Sequence, residues 1–167
     1  NRNTRALITL VSSSLMRCEH CTRSHIAKAL DAGISSEEIS EALLVASLIT
    51  SGTQLYWMKD DFEDLLSENG QSKPWFVENA GKMGNAWRNL HDAVHEESKL
   101  DPKTKELIAT AVGCLARCRH CTKTHIEGSL NEGASKGEVA ETLMTAAAYA
   151  ATTQLMWMYE DFQELLG

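Results

Sequence analysis

Residues 4–66 lie over residues 104–166 without a gap, and 27 of the 63 aligned positions are identical. A repeat that long and that close is one structural unit used twice, so the two halves must share a fold. The chain has 167 residues, enough for two fused units around a real core. Within each unit, apolar residues recur at three and four, as in Leu107, Ile108, Ala111 and Leu115, which is the spacing of one helix face. Only two prolines occur and few segments alternate with period two. The expected fold class is all-α.

Helix punctuation divides each unit. Asp101-Pro102 reads as an N-cap followed by proline in the first turn. Gly33 and Gly133 stand where a left-handed cap ends a helix. Ser35 with Glu38, and Ser135 with Glu138, fit capping boxes for the next. The pattern predicts helices over about 4–16, 18–32 and 36–66, the last with room for a break near its middle, and their counterparts one hundred residues on. A further helix is expected over about 75–98, after the polar linker "SENGQSKP" at 67–74. The expected domains are therefore 1–66, a first repeat, and 75–167, a second repeat with an extra leading helix. The first repeat lacks that helix, and the chain starts at Asn1 without Met, so a trimmed start is expected. Trp57, Phe62, Trp157 and Phe162 fall at matching positions, where core or subunit-interface packing is expected.

Composition narrows the function classes. Sixteen basic against 23 acidic residues give a formal net charge of −7, which argues against a nucleic-acid surface. No apolar run approaches the ~20 residues of a membrane span. Five cysteines, an odd number, do not resemble a secreted disulfide scaffold, so a reducing cytoplasm is the expected location. Cys114 has Ser14 as its counterpart and is expected to be a small buried filler.

The other four cysteines sit in "CEHCTRSH" (18–25) and "CRHCTKTH" (118–125). On a helix, Cys118 and Cys121 share a face, and His125, one turn on, joins them. His120 points away and must meet another element. At a helix start, free N–H groups and the dipole favour a thiolate, and a second thiol one turn away can close a disulfide. Three readings compete. Zinc would use Cys18, Cys21, Cys118 and Cys121 together, or each pair with its histidine, yet a helical domain of this size does not need metal to fold. Buried structural cysteines are the second reading, and redox chemistry the third and preferred one. No bound cofactor or metal is expected.

The copies differ where chemistry would notice. Between the cysteines stands Arg119 in the second and Glu19 in the first; a cation lowers a neighbouring thiol pKa and an anion raises it. Twelve residues before the first cysteine stands Glu106, against Ala6, so only the second copy keeps a candidate proton acceptor. The second site is the one expected to work. "HDAVH" (91–95) imitates a zinc-protease pattern, but with Asp92 in place of Glu and no third ligand a partly solvated helix face is expected instead.

The stretch "KELIATAVGCLARCRHCTKTHIEGSLNEGASKGEVAETL" resembles the alkylhydroperoxidase D / carboxymuconolactone decarboxylase superfamily. Its pattern is Glu, eleven residues, Cys-x-His-Cys, three residues, His, matched by Glu106, Cys118, His120, Cys121 and His125. The resemblance, with its duplicate, covers nearly the whole chain. It implies a multihelical fold of repeated units, assembled as trimers or hexamers; a two-unit chain would imitate a hexamer by forming a homotrimer. It implies that Cys121 attacks a hydroperoxide as thiolate, that Cys118 donates a proton and then resolves the sulfenic acid as a disulfide, and that Glu106, His120 and His125 relay protons. It also implies an external thiol reductant, lipoyl- or thioredoxin-like, carried by a redox partner protein. The first copy keeps Cys18, His20, Cys21 and His25 but departs at Ala6, which leaves it vestigial or an electron relay. The decarboxylase branch is disfavoured, because its chemistry does not call for a dithiol. A protein or small-molecule disulfide reductase would need the same activated thiolate and resolving partner, so that alternative stands, with a metal- or redox-sensing module behind it.

Overall fold

A computed structural model describes residues 1–57, 75–96 and 98–166, with the side chains of 75 and 76 left aside. Among the described residues the secondary structure is entirely helical: α1 (Arg2–Leu15), α2 (Glu19–Asp31), α3 (Ser36–Tyr56), α4 (Trp75–Asn79), α5 (Lys82–His95), α6 (Pro102–Leu115), α7 (Arg119–Asn131), α8 (Lys136–Met156) and α9 (Tyr159–Leu166). The trio α1–α3 repeats as α6–α8. No described helix is long and apolar enough to cross a membrane.

Local sequence explains the boundaries. Asp101 accepts the amide of Thr104 at 2.9 Å and sits before Pro102. Both capping boxes are formed, the carboxylates of Glu38 and Glu138 accepting from the Ser35 and Ser135 amides at 2.7 and 2.8 Å. Gly33 and Gly133, at φ +84° and +82°, end α2 and α7 in the left-handed conformation that a Cβ disfavours.

Two expectations are corrected, for the helix over 75–98 and for the aromatic rings, while the third helix has the break that was left room for: α3 ends at Tyr56, and in the second unit α8 ends at Met156 with α9 following as a separate element. Residues 58–66, with Phe62, and the linker 67–74 lie outside the described residues. The helix expected over 75–98 is two, α4 and α5, broken where Gly81 takes φ +54°. Gly84 then meets the Val77 carbonyl so closely that a Cβ has no room. Finally, Trp57 and Trp157 are each 58% exposed and Phe162 is also exposed, so within one chain these rings are not core.

The two units interlock. α1 and α6 lie against one another at the centre, where the buried hydroxyls of Thr4 and Thr104 meet at 3.2 Å. Each unit's third helix reaches across: α3 packs on α6 and α7, and α8 packs on α1 and α2. One continuous apolar core results, running from Leu7, Leu10 and Val11 through Val45 and Leu48 to Ile108, Val112 and Ala146. The crossing of α3 onto the second unit shapes the site described next.

Candidate active site

Cys118 is the N-cap of α7, in extended backbone conformation, and its Sγ accepts the amide of Cys121 at 3.1 Å. Arg117 just before it takes φ +56°, turning the chain from α6 into α7. Cap and third helical residue bring the two Cα atoms to 5.3 Å, and the sulfurs are joined as a disulfide. Cys118 is fully buried, whereas Cys121 lines a cavity of about 140 Å³.

His125 follows one turn after Cys121 on the same cavity wall. Its Nδ1 lies 2.9 Å from one carboxylate oxygen of Glu106, which projects from α6. A methyl group at Gly128 of α7 would fall on that carboxylate, so the glycine makes the space Glu106 fills. The remaining walls come from other elements. Tyr56, at the end of α3, stacks on His120 with ring centroids 5.2 Å apart. Trp87 of α5 closes another side and donates from Nε1 to the Ser51 hydroxyl at 3.3 Å. Burial raises the Tyr56 phenol above its usual pKa, so it stays protonated near neutral pH.

Below the carboxylate, Lys105 is almost wholly buried and pairs with Glu41 of α3 at 2.6 Å, while its Nζ also donates to the Glu96 carbonyl. Glu41 accepts the Lys99 and Leu100 amides at 2.9 and 3.0 Å. Burial pushes the Glu41 carboxyl up, but the Lys105 hydrogen bond and these amides outweigh it and hold the group below its usual range. The knot fastens the end of α5, and with it His95, over Glu106. His91 and His95 lie on a partly solvated helix face, 43% and 26% exposed, that also reaches the site: His91 lines the cavity, and His95 Nδ1 is 3.6 Å from the second Glu106 oxygen.

The first unit repeats the scaffold but not the electrostatics. Cys18 caps α2, its Sγ accepts the Cys21 amide at 3.2 Å, and the pair is a disulfide. His20 lies against Tyr159 at 4.4 Å and His25 against the edge of Tyr149 at 5.0 Å, rings supplied by the second unit. Ala6 replaces the carboxylate and Lys28 replaces Gly128. Burial first, and then the Lys28 ammonium, push His25 below the usual imidazole pKa. His125 faces an anion where His25 feels a cation.

The structure brings Cys118, Cys121 and His125 together as the spacing suggested, adds Glu106 from α6, and turns His120 onto Tyr56. Sequence reasoning missed Tyr56, Trp87 and His95; only the four-residue spacing of His91 and His95 hinted at the last. Cys114 is half-buried rather than a sealed filler, because α6 leaves that flank open beside Arg117 and Lys123. No group of three or more His, Cys, Asp and Glu residues among those described is arranged to hold a metal ion. The four cysteines pair within each unit instead.

Two interlocked copies of a helical unit, each opening its second helix with a Cys-x-x-Cys pair, define a small all-helical dithiol protein. The chain belongs to the carboxymuconolactone decarboxylase family, whose model matches residues 1–56 and 81–162. That family is one of enzymes and includes decarboxylases; the two Cys-x-x-Cys motifs are compatible with a redox role. A Paracoccus denitrificans protein named uncharacterized protein 4 in cox locus is 34% identical over 69 residues, 41% of this chain. The match spans 62% of that relative's length. The fold is shared with a solved structure from Burkholderia xenovorans LB400, described as a gamma-carboxymuconolactone decarboxylase subunit, at TM-score 0.68 and 20% identity. The likeness covers all of this chain and 80% of that one.

Proposed function

We propose that this protein is a thiol-dependent hydroperoxide reductase whose working pair is Cys118 and Cys121. One observation carries the reading: the cavity-lining sulfur belongs to Cys121, beside a histidine hydrogen-bonded to a half-enclosed carboxylate, with a sealed partner sulfur one turn away. In the reduced chain Cys121 gives its proton to the His125–Glu106 pair. The thiolate attacks the outer peroxide oxygen; an S–O bond forms, the O–O bond breaks, and the alkoxide leaves as an alcohol with the proton returned. Cys118 then attacks the sulfenic sulfur, forming the disulfide and releasing water. An external dithiol, lipoyl- or thioredoxin-like, returns two electrons by attacking Cys121, the accessible sulfur. His120, stacked on Tyr56, forms part of the wall against which the peroxide rests.

Cys18, Cys21, His20 and His25 form a secondary pair in this reading, without the base that peroxide attack needs and suited at most to passing electrons. The exposed apolar side chains Met144, Leu155 and Trp157 suit a homo-oligomer, a homotrimer being the proposed assembly.

The test follows each pair separately. Fully reduced protein is mixed with one equivalent of an organic hydroperoxide, blocked rapidly with a thiol reagent, and mapped by peptide mass. The Cys118–Cys121 disulfide is expected within seconds and ahead of Cys18–Cys21. Cys121→Ser abolishes turnover and Cys21→Ser leaves most of it. Thiols that ignore peroxide but oxidise quickly with a disulfide substrate would assign the same residues to a disulfide reductase.

A further inference from the structure

Glu106 has a second imidazole neighbour that the dithiol chemistry leaves unused. One carboxylate oxygen is 2.9 Å from Nδ1 of His125, and the other is 3.6 Å from Nδ1 of His95. The two rings are nearly parallel, at 15°, with centroids 6.3 Å apart, and each approaches a different oxygen of the carboxylate. His95 in turn lies 4.4 Å from the ring of His91, one turn earlier on α5. Side-chain exposure falls along this line, from 43% at His91 to 26% at His95, 16% at Glu106 and 13% at His125. Four groups that can each carry a proton therefore run in order from solvent to the wall that holds Cys121.

This placement is built into the fold. The buried Lys105 grips the Glu96 carbonyl, the residue after His95, and ties it through Glu41 to α3. Gly128 keeps α7 clear of the carboxylate, so both oxygens stay available.

We propose that His95 is a positioning residue of the dithiol site, flanking the outer oxygen of Glu106 so that the carboxylate shares one proton between His125 and an outer imidazole leading through His91 to solvent. The proposal rests on Cys118 and Cys121 being the reacting pair. When Cys121 loses its proton, that proton enters the His125–Glu106 pair and one proton leaves His91 to water; no electrons move. The direction reverses when the departing alkoxide needs a proton.

The groups facing His95 are His91 on its own helix, with Asp92 beside it; Glu106 and Lys105 on α6, the latter engaged by Glu41 of α3; and His125 on α7. Burial first, then His91, His125 and Lys105 disfavour its charged form, while Glu106 favours it. The balance lies below the usual imidazole value, so His95 is neutral near pH 7 and free to take up a proton.

Ring ¹⁵N resonances of the reduced full chain, titrated in wild type, His125→Gln and Glu106→Gln, test the sharing without any turnover. In His125→Gln the carboxylate is released to His95, whose midpoint should rise by about half a pH unit or more. In Glu106→Gln it should fall by a similar amount. Absence of either shift overturns the proposal, and the result stands whether or not peroxide is the oxidant. With whichever oxidant the dithiol accepts, His95→Gln should lower kcat about tenfold at unchanged KM, and added imidazole should restore His95→Ala. An unchanged kcat overturns the role; should the Gln variant fail to fold, His95→Asn serves the same comparison.

Discussion

At the scale of single residues, the two sites differ by a pair of exchanges that belong together. Glu106 fits because position 128 is glycine; Ala6 is matched with Lys28. Gly128→Ala should therefore separate stability from function. A Cβ there meets only the end of a flexible side chain, which can swing away, and alanine favours a helix interior by about 1 kcal/mol. Denaturant midpoints should hold or rise while peroxide-driven oxidation of Cys118 and Cys121 slows at least tenfold, because the displaced carboxylate no longer meets His125. Glu106→Gln should lose more, about 10²-fold or beyond, by removing the proton acceptor itself. A Gly128→Ala protein as fast as wild type would show that the Glu106–His125 contact is dispensable. Two histidines also fix a pH response. His25 and His95 are both held below the usual 6.5 in the folded chain, each chiefly by burial. The unfolded chain binds protons first as pH falls through 6.5, so the stability these neutral rings contribute is full above that value and drains away below it. Thermal midpoints measured from pH 7.5 down to 5.5 should decline, and His25→Gln with His95→Gln should flatten the decline.

At the scale of elements, the residues that could be read directly were those whose geometry one helix or one helical turn fixes. Cys118, Cys121 and His125 lie on α7 and its cap, so spacing alone set them side by side; Glu106, on the helix feeding α7, was marked instead by its contrast with Ala6 and by the family pattern. Capping boxes and left-handed glycines were equally local. Tyr56, Trp87 and His95 reach the cavity on α3 and α5, whose docking depends on contacts many residues away, and no periodicity announces which histidine of an amphipathic helix will face a carboxylate. The place of the break after α3 could not be read for a related reason: "QLYWMKDD" contains no glycine or proline, so nothing local marks Tyr56 as the last helical residue. The clasp that docks α5 can be tested. Lys105→Met leaves Glu41 without its cation in a mostly enclosed place, at a cost of about 3 kcal/mol, and frees the Glu96 carbonyl. Chemical denaturation should show that loss, and reaction of Cys121 with peroxide should slow with it, although Lys105 touches neither sulfur. Lost stability with undiminished reactivity would mean that α5 stays docked over Glu106 without the clasp.

At the scale of the whole molecule, duplication has produced sites that neither unit makes alone. The second unit's Cys121 cavity takes a wall from α3, with Tyr56 on His120; the first unit's His20 and His25 lie on Tyr159 and Tyr149 of the second. Each third helix lies across the opposite unit's first helix, so removing one unit strips apolar cover from the other as well as the site. Residues 75–167 expressed alone should therefore lack a cooperative thermal transition and lose rapid oxidation of Cys118 and Cys121. Leu107, Ile108 and Ala111 would face water where α1 and α3 now pack. Supplying residues 1–66 as a separate chain should restore both properties, because the cover between units is non-covalent side-chain packing. Calorimetry on the fragment, the mixture and the intact chain, with the peroxide assay on the same samples, distinguishes the outcomes. If the fragment by itself melts cooperatively as a monomer and reacts at the rate of the intact protein, the crossing of α3 is incidental to the site.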